Sequence, residues 1–152
     1  MEYLVIGYGN TLRSDDGAGQ NVANQVNNWN LENVRSLSLH QLTPELAAEL
    51  AATDTVIFVD AITSTQEPIS TVQIQLIQPE QTPSQWAHYQ DPRSLLLLTQ
   101  KLYGKTPIAY QILLPAETFA FGETLSHTTT LGVQNALQHI QNLINADGHP
   151  VD

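Results

Sequence analysis

The chain has 152 residues, 41% hydrophobic and 13% charged, which suits one domain with a sizeable core, globular rather than disordered. Its formal net charge is −10, and its five basic residues, Arg13, Arg35, Arg93, Lys101 and Lys105, are scattered, which argues against nucleic acid and anionic membranes as partners. There is no cysteine, so disulfides, thiolate metal sites, iron–sulfur clusters and a cysteine nucleophile are excluded, and any metal would be held by histidine and carboxylate. No apolar run approaches the length of a membrane span. The sequence enters a strand at once, without a basic region and cleavage site, which predicts a cytoplasmic protein.

The first element is a buried strand centred on Leu4–Ile6, broken by Gly7 and Gly9. Ser14 or Asp15 can cap the following helix, with Ala18, Val22, Val26 and Trp29 at helical spacing. Asn27 to Asn33 reads as a loop and Val34 to His40 as an alternating strand. Thr43-Pro44-Glu45 starts a helix with Leu46, Ala47 and Leu50 on its buried face. Thr55 to Asp60 is continuously apolar until its closing acid, as expected for a central strand buried on both faces. Thr71 to Ile77 alternates, with Val72, Ile74 and Leu76 on one face. Too few residues precede it for a parallel crossover, so it is predicted as an antiparallel edge strand.

Gln78 to Gln90 is a polar loop containing His88. Asp91-Pro92 opens a helix that Gly104 ends, with Leu95 to Leu98 and Leu102 as its core face. Pro107 to Leu114 is the fifth strand and Pro115 to Leu125 a loop. Ser126 or Thr128 caps a last helix with Val133, Leu137, Ile140 and Ile144 on one face. Residues 1–146 form a single domain in this reading, and 147–152 a loose tail. The order β-α-β-α-β-β-α-β-α predicts an α/β fold: a three-layer α/β/α sandwich around a five-stranded, mostly parallel twisted sheet, with one antiparallel edge strand.

In such a sheet the carboxyl ends of the parallel strands share one edge, where ligands bind. Asp16, His40, Asp60 and His88 all follow strand ends or precede helices there. Asp15 and Asp16 together exceed what a helix cap needs, though capping explains one of them. Asp60 closes an apolar strand, where it either accepts hydrogen bonds from a neighbouring loop or serves a site. His88 reads as a loop histidine or a ligand, and His40 as either or as a group that orients a neighbour. Two acids and an imidazole in one crevice suit a borderline divalent metal such as Zn²⁺ or Ni²⁺. The His-Glu-x-x-His zinc motif and the Gly-x-Ser-x-Gly elbow are both absent. The two glycines lack the third of a dinucleotide fingerprint, and no P-loop lysine follows, so a nucleotide-binding α/β module has little in its favour.

The opening Gly7-Tyr8-Gly9-Asn10-x-Leu12-x-x-Asp15-Asp16-Gly17 resembles the signature of the [NiFe]-hydrogenase maturation proteases. His40 to Leu46, Val59-Asp60-Ala61, His88 to Pro92 with Leu95 to Leu98, and Pro115-Ala116-Glu117-x-Phe119 extend the resemblance over most of the chain. They look most like the branch serving the bidirectional, NAD(P)-linked (Hox-type) hydrogenases. The resemblance implies a similar fold. It also implies an endopeptidase that removes a C-terminal extension from the hydrogenase large-subunit precursor after nickel insertion. The family's metal-contacting acid falls on Asp16, where other branches have Glu, its second acid on Asp60 and its histidine on His88. The nickel is then the substrate's own and acts as a recognition handle, with Asp16 or Asp60 as candidate general base. A non-enzymatic chaperone that senses a nickel-loaded partner through the same residues is the alternative.

Overall fold

The computed structural model describes residues 1–63, 69–81 and 91–148. The strands are β1 (Tyr3–Tyr8), β2 (Val34–Leu39), β3 (Thr55–Thr63), β4 (Gln73–Ile77) and β5 (Ile108–Ala116). The helices are α1 (Ala18–Asn27), α2 (Leu46–Ala51), α3 (Pro92–Tyr103) and α4 (His127–Gly148), and a short 3₁₀ turn, Ser14–Gly17, leads into α1. The five strands form one sheet in the order β2-β1-β3-β5-β4. All neighbours run parallel except β4, which lies antiparallel to β5 at the edge. The predicted element order and the antiparallel edge strand are both present.

Strand side chains alternate between faces, and this splits the core in two. Tyr3 and Val5 of β1, Ile57 and Val59 of β3, and Ile112 and Leu114 of β5 pack under α1 and α4 with Val22, Val133, Ala136 and Ile140. Leu4, Ile6 and Tyr8, with Val56 and Phe58, face the other way and pack with Leu42, Leu46 and Leu50 and with Leu95 and Leu96 of α3. The molecule is therefore a three-layer α/β/α sandwich. Each such fully buried aliphatic or phenylalanine side chain contributes about 1.5–3 kcal/mol.

The helix ends follow their local chemistry. Pro92 occupies the first turn of α3, and Gly104 closes that helix in the left-handed region at φ 74°. The Ser126 hydroxyl accepts the Thr129 N–H at 3.3 Å, so Ser126 caps α4.

Several expectations are corrected. β3 does not close at Asp60 but pairs with β5 as far as Thr63↔Ala116. α1 stops at Asn27, and Trp29 packs against the core from the turn beyond it. Leu102 is exposed because it sits in the last turn of α3, where Leu95, Leu96 and Thr99 already make the buried face. Leu76 is also exposed, although Ile74, two residues before it on the same face, packs against the core. Leu76 instead borders an open apolar groove with Tyr110, His139 and Leu143.

Candidate functional site

The site begins where β1 leaves the sheet. In the strand order β2-β1-β3, the chain moves from β1 to one side and returns on the other. The crevice between the carboxyl ends of β1 and β3 is therefore the topological switch point. The last β1–β3 pair is Gly7↔Val59, and Asp60 is the next residue of β3. It thus stands beside the point where β1 turns away.

The turn is built by close backbone packing. A Cβ on Gly7 would lie 1.8 Å from the carbonyl oxygen of Gly19, so only glycine lets the first turn of α1 press onto β1. Gly9 has φ 142°, and a Cβ there would lie 2.0 Å from the Asp16 carbonyl oxygen. The Asn10 side-chain oxygen accepts the Leu12 N–H at 2.9 Å, folding the loop on itself. Asp16 Oδ2 accepts the Asn10 N–H at 2.8 Å, and the Gln20 amide donates to the Gly9 carbonyl at 2.7 Å. These bonds hold the partly buried Asp16 carboxylate at the mouth of the crevice.

Neither acid caps α1, contrary to expectation. Asp15 is fully buried. Its carboxylate accepts the N–H groups of Glu117 at 2.8 Å, Thr118 at 3.2 Å and Ser126 at 2.7 Å, and the Ser126 hydroxyl at 2.9 Å. Burial works to raise the pKa of Asp15, but these donors outweigh it and hold the carboxyl below its ordinary value. Asp15 is a brace between the first loop and the segment leading into α4.

Asp60 shows the opposite balance. Burial pushes its pKa up to about 7; the Ala61 N–H donating to Oδ1 at 2.8 Å works against the shift, and the Asp16 charge adds to it. Tyr8 lies on the same sheet face and is 8% exposed. Its hydroxyl is hydrogen-bonded to Asp60 and to Gln111 of β5. Burial and the nearby charge of Asp60 raise the Tyr8 pKa well above its ordinary value; the Gln111 bond opposes this, and the Asp91 charge adds to it. In the sequence Tyr8 stood out only as part of the opening motif and Asp91 only as a helix start, and Gln111 was not singled out. The signal was present for Tyr8, which shares strand parity with Leu4 and Ile6 and so had to face inward.

The structure brings Asp16 and Asp60 to one edge. His40 is exposed just past β2, with β1 standing between it and β3. His88 lies outside the described residues, and among these no group of three or more His, Asp or Glu side chains could hold a metal. The donor chemistry nonetheless fits a hard or borderline divalent cation. Two carboxylates interact repulsively, and among the described residues neither forms an ion pair.

Comparison with solved structures places the fold in a known architecture. The hydrogenase maturating endopeptidase HybD from Escherichia coli superposes with a TM-score of 0.81 at 21% identity, covering 97% of this chain and 94% of that one. The [NiFe] hydrogenase maturation protease HybD from Thermococcus kodakarensis gives 0.73 at 22% identity, covering 94% and 99%. A hydrogenase 2 maturation peptidase from a Thaumarchaeota archaeon gives 0.68 at 19% identity, covering 95% and 98%. The chain has the fold of the hydrogenase maturation endopeptidases. No protein-family model and no curated protein sequence matches it.

Proposed function

We propose that this chain is an endopeptidase that removes the C-terminal extension of a [NiFe]-hydrogenase large-subunit precursor once nickel is in place, in the Hox-type branch that its motifs resemble. The observation that carries the reading is the pairing of Asp16 with Asp60 at the switch-point crevice, on the fold shared with the HybD endopeptidases. The pair is electrostatically unfinished. Burial and mutual repulsion leave Asp60 part-protonated near neutral pH, and a cation carried in by the substrate would displace that proton and offset both charges. Nickel in this reading is part of the substrate. Asp16 and Asp60 supply oxygen contacts to it, and His88 supplies the nitrogen contact.

Recognition and cleavage are coupled through position. Engagement of the metal fixes the precursor so that its scissile bond lies over the crevice, and water attacks the peptide carbonyl. A carboxylate of the pair accepts the proton from water and returns one to the departing amine. The metal-state test uses nickel-loaded and nickel-free precursor, each with metal-stripped protein, followed by mass spectrometry. Loss of a small C-terminal fragment from the loaded form alone supports the reading. Equal cleavage of both forms removes the metal handle, and cleavage of neither removes the peptidase. A chaperone would bind the loaded precursor and leave its mass unchanged.

A further inference from the structure

Beside Asp16, two loops are locked together to present side chains that the fold itself does not bury. The Gly122 N–H donates to the Leu12 carbonyl at 2.9 Å, and the Ser14 N–H donates to the Gly122 carbonyl at 2.7 Å. The Ser14 hydroxyl donates to the Ala120 carbonyl at 2.8 Å, and Ser14 is held at φ 51°, which is rare for a residue other than glycine. Behind them the four hydrogen bonds of Asp15 fix both ends of the 117–126 segment. What this bracing displays is Phe121, 86% exposed, and Leu12, 54% exposed. The Arg13 guanidinium lies over the Phe121 ring, 5.4 Å from the ring centroid.

We propose that Leu12, Arg13 and Phe121 form a pre-organised docking surface for the folded precursor that delivers the scissile bond, matching an apolar recess with a carboxylate at its rim. The inference rests on the processing function proposed above and adds the means of holding the partner beyond its metal. A buried brace and a backbone at positive φ stabilise nothing inside the molecule by exposing an aromatic ring. A rigid aromatic displayed this way loses little entropy on binding, as an interface anchor requires. Charge points to the partner's acid. Among the described residues Arg13 makes no ion pair, whereas Arg35 pairs with Glu49 and Arg93 with Glu80. Lys101 and Lys105 lie at and beyond the last turn of α3, leaving Arg13, whose carbonyl accepts the Asp16 N–H, as the cation on this loop.

The test measures steady-state processing and equilibrium binding of nickel-loaded precursor by the full chain and by Phe121→Ser, Leu12→Ser and Arg13→Gln. Leu102→Ser, an equally exposed leucine at the end of α3, is the control. Phe121→Ser is expected to raise KM and Kd about tenfold with kcat changed less than about twofold and the melting temperature unchanged. Arg13→Gln is expected to weaken binding less and to flatten its salt dependence, and Leu102→Ser to match wild type. Unaltered KM and Kd in Phe121→Ser would overturn the proposal while leaving the peptidase reading intact. A wild-type dimer that Phe121→Ser dissociates would overturn it in favour of a second copy as the occupant. Binding without cleavage by wild type, weakened by Phe121→Ser, would support the surface and refute the peptidase. Neither binding nor cleavage by wild type would refute both.

Discussion

Asp15 and Asp60 lie at the same edge of the sheet, yet folding shifts them in opposite directions. Asp60 is raised to about 7 because burial and Asp16 oppose its charge more than one backbone donor supports it. The folded state therefore favours its protonated form. That contribution is fully present below the unfolded carboxyl value of about 3.9 and is lost as pH rises through 7. Asp60→Asn is accordingly expected to equal wild type near pH 4 and to exceed it in stability at pH 8, by denaturant unfolding at both pH values, while failing to process precursor. Asp15 has the reverse sign. Its depressed value gives stability that is present above about pH 3.9 and lost as pH falls through the folded pKa. Asp15→Asn should cost roughly 3 kcal/mol at pH 7, because its donors to Asp15 lose their charged acceptor. The gap from wild type should narrow in acid. An Asp15→Asn protein as stable as wild type at pH 7 would show that the brace is dispensable.

At the scale of elements, the strands and helices were legible because their apolar runs and punctuating residues are local signals. Pro92 and Gly104 bound α3 as their chemistry dictates, and Val72 and Ile74 announced the edge strand, although its last residue, Ile77, is also buried on the face expected to be wet. What local pattern did not carry was long-range pairing. Asp15 looked like a cap because its true partners, Glu117, Thr118 and Ser126, lie about a hundred residues away in sequence. Asp60 looked like a strand end because continued pairing of β3 depends on β5, not on the residues after Asp60. The Asp16–Asp60 pair was found from element boundaries and the motif, but the Tyr8–Gln111 contact beside it needed the register of three strands. Gly7 and Gly19 test the same long-range logic. A Cβ at Gly19 would lie 2.5 Å from the Val59 carbonyl oxygen, and one at Gly7 still nearer the Gly19 carbonyl. Both obstacles are backbone, so the cost must fall on the α1–sheet interface. Either substitution by Ala is expected to cost about 3 kcal/mol or more. A melting temperature within a degree or so of wild type in Gly7→Ala would contradict that packing.

For the molecule as a whole, the balance between its own charges and an incoming cation decides how it meets metal. A net charge of −10 attracts cations over the whole surface, but attraction at long range is not tight binding. At the crevice the free protein offers two carboxylates, one of them part-protonated at neutral pH, and no thiolate anywhere in the chain. Ni²⁺ would have to displace the Asp60 proton and shed water for hard oxygen ligands. The free protein is therefore expected to hold nickel weakly, even with His88 added. Thermal unfolding reads this directly. A ligand at one hundred times its Kd stabilises the folded state by about 2.7 kcal/mol, and for a chain of this size each kcal/mol moves the melting temperature by about 2–4 °C. No upward shift is expected at micromolar Ni²⁺, with a rise emerging only at millimolar concentration. Asp16→Ala should abolish that rise, and lowering the pH below 7 should weaken it because the proton competes at Asp60. A rise of several degrees at micromolar nickel would mean that the chain carries its own tightly bound ion, and the substrate's metal would then no longer be needed to complete the acid pair.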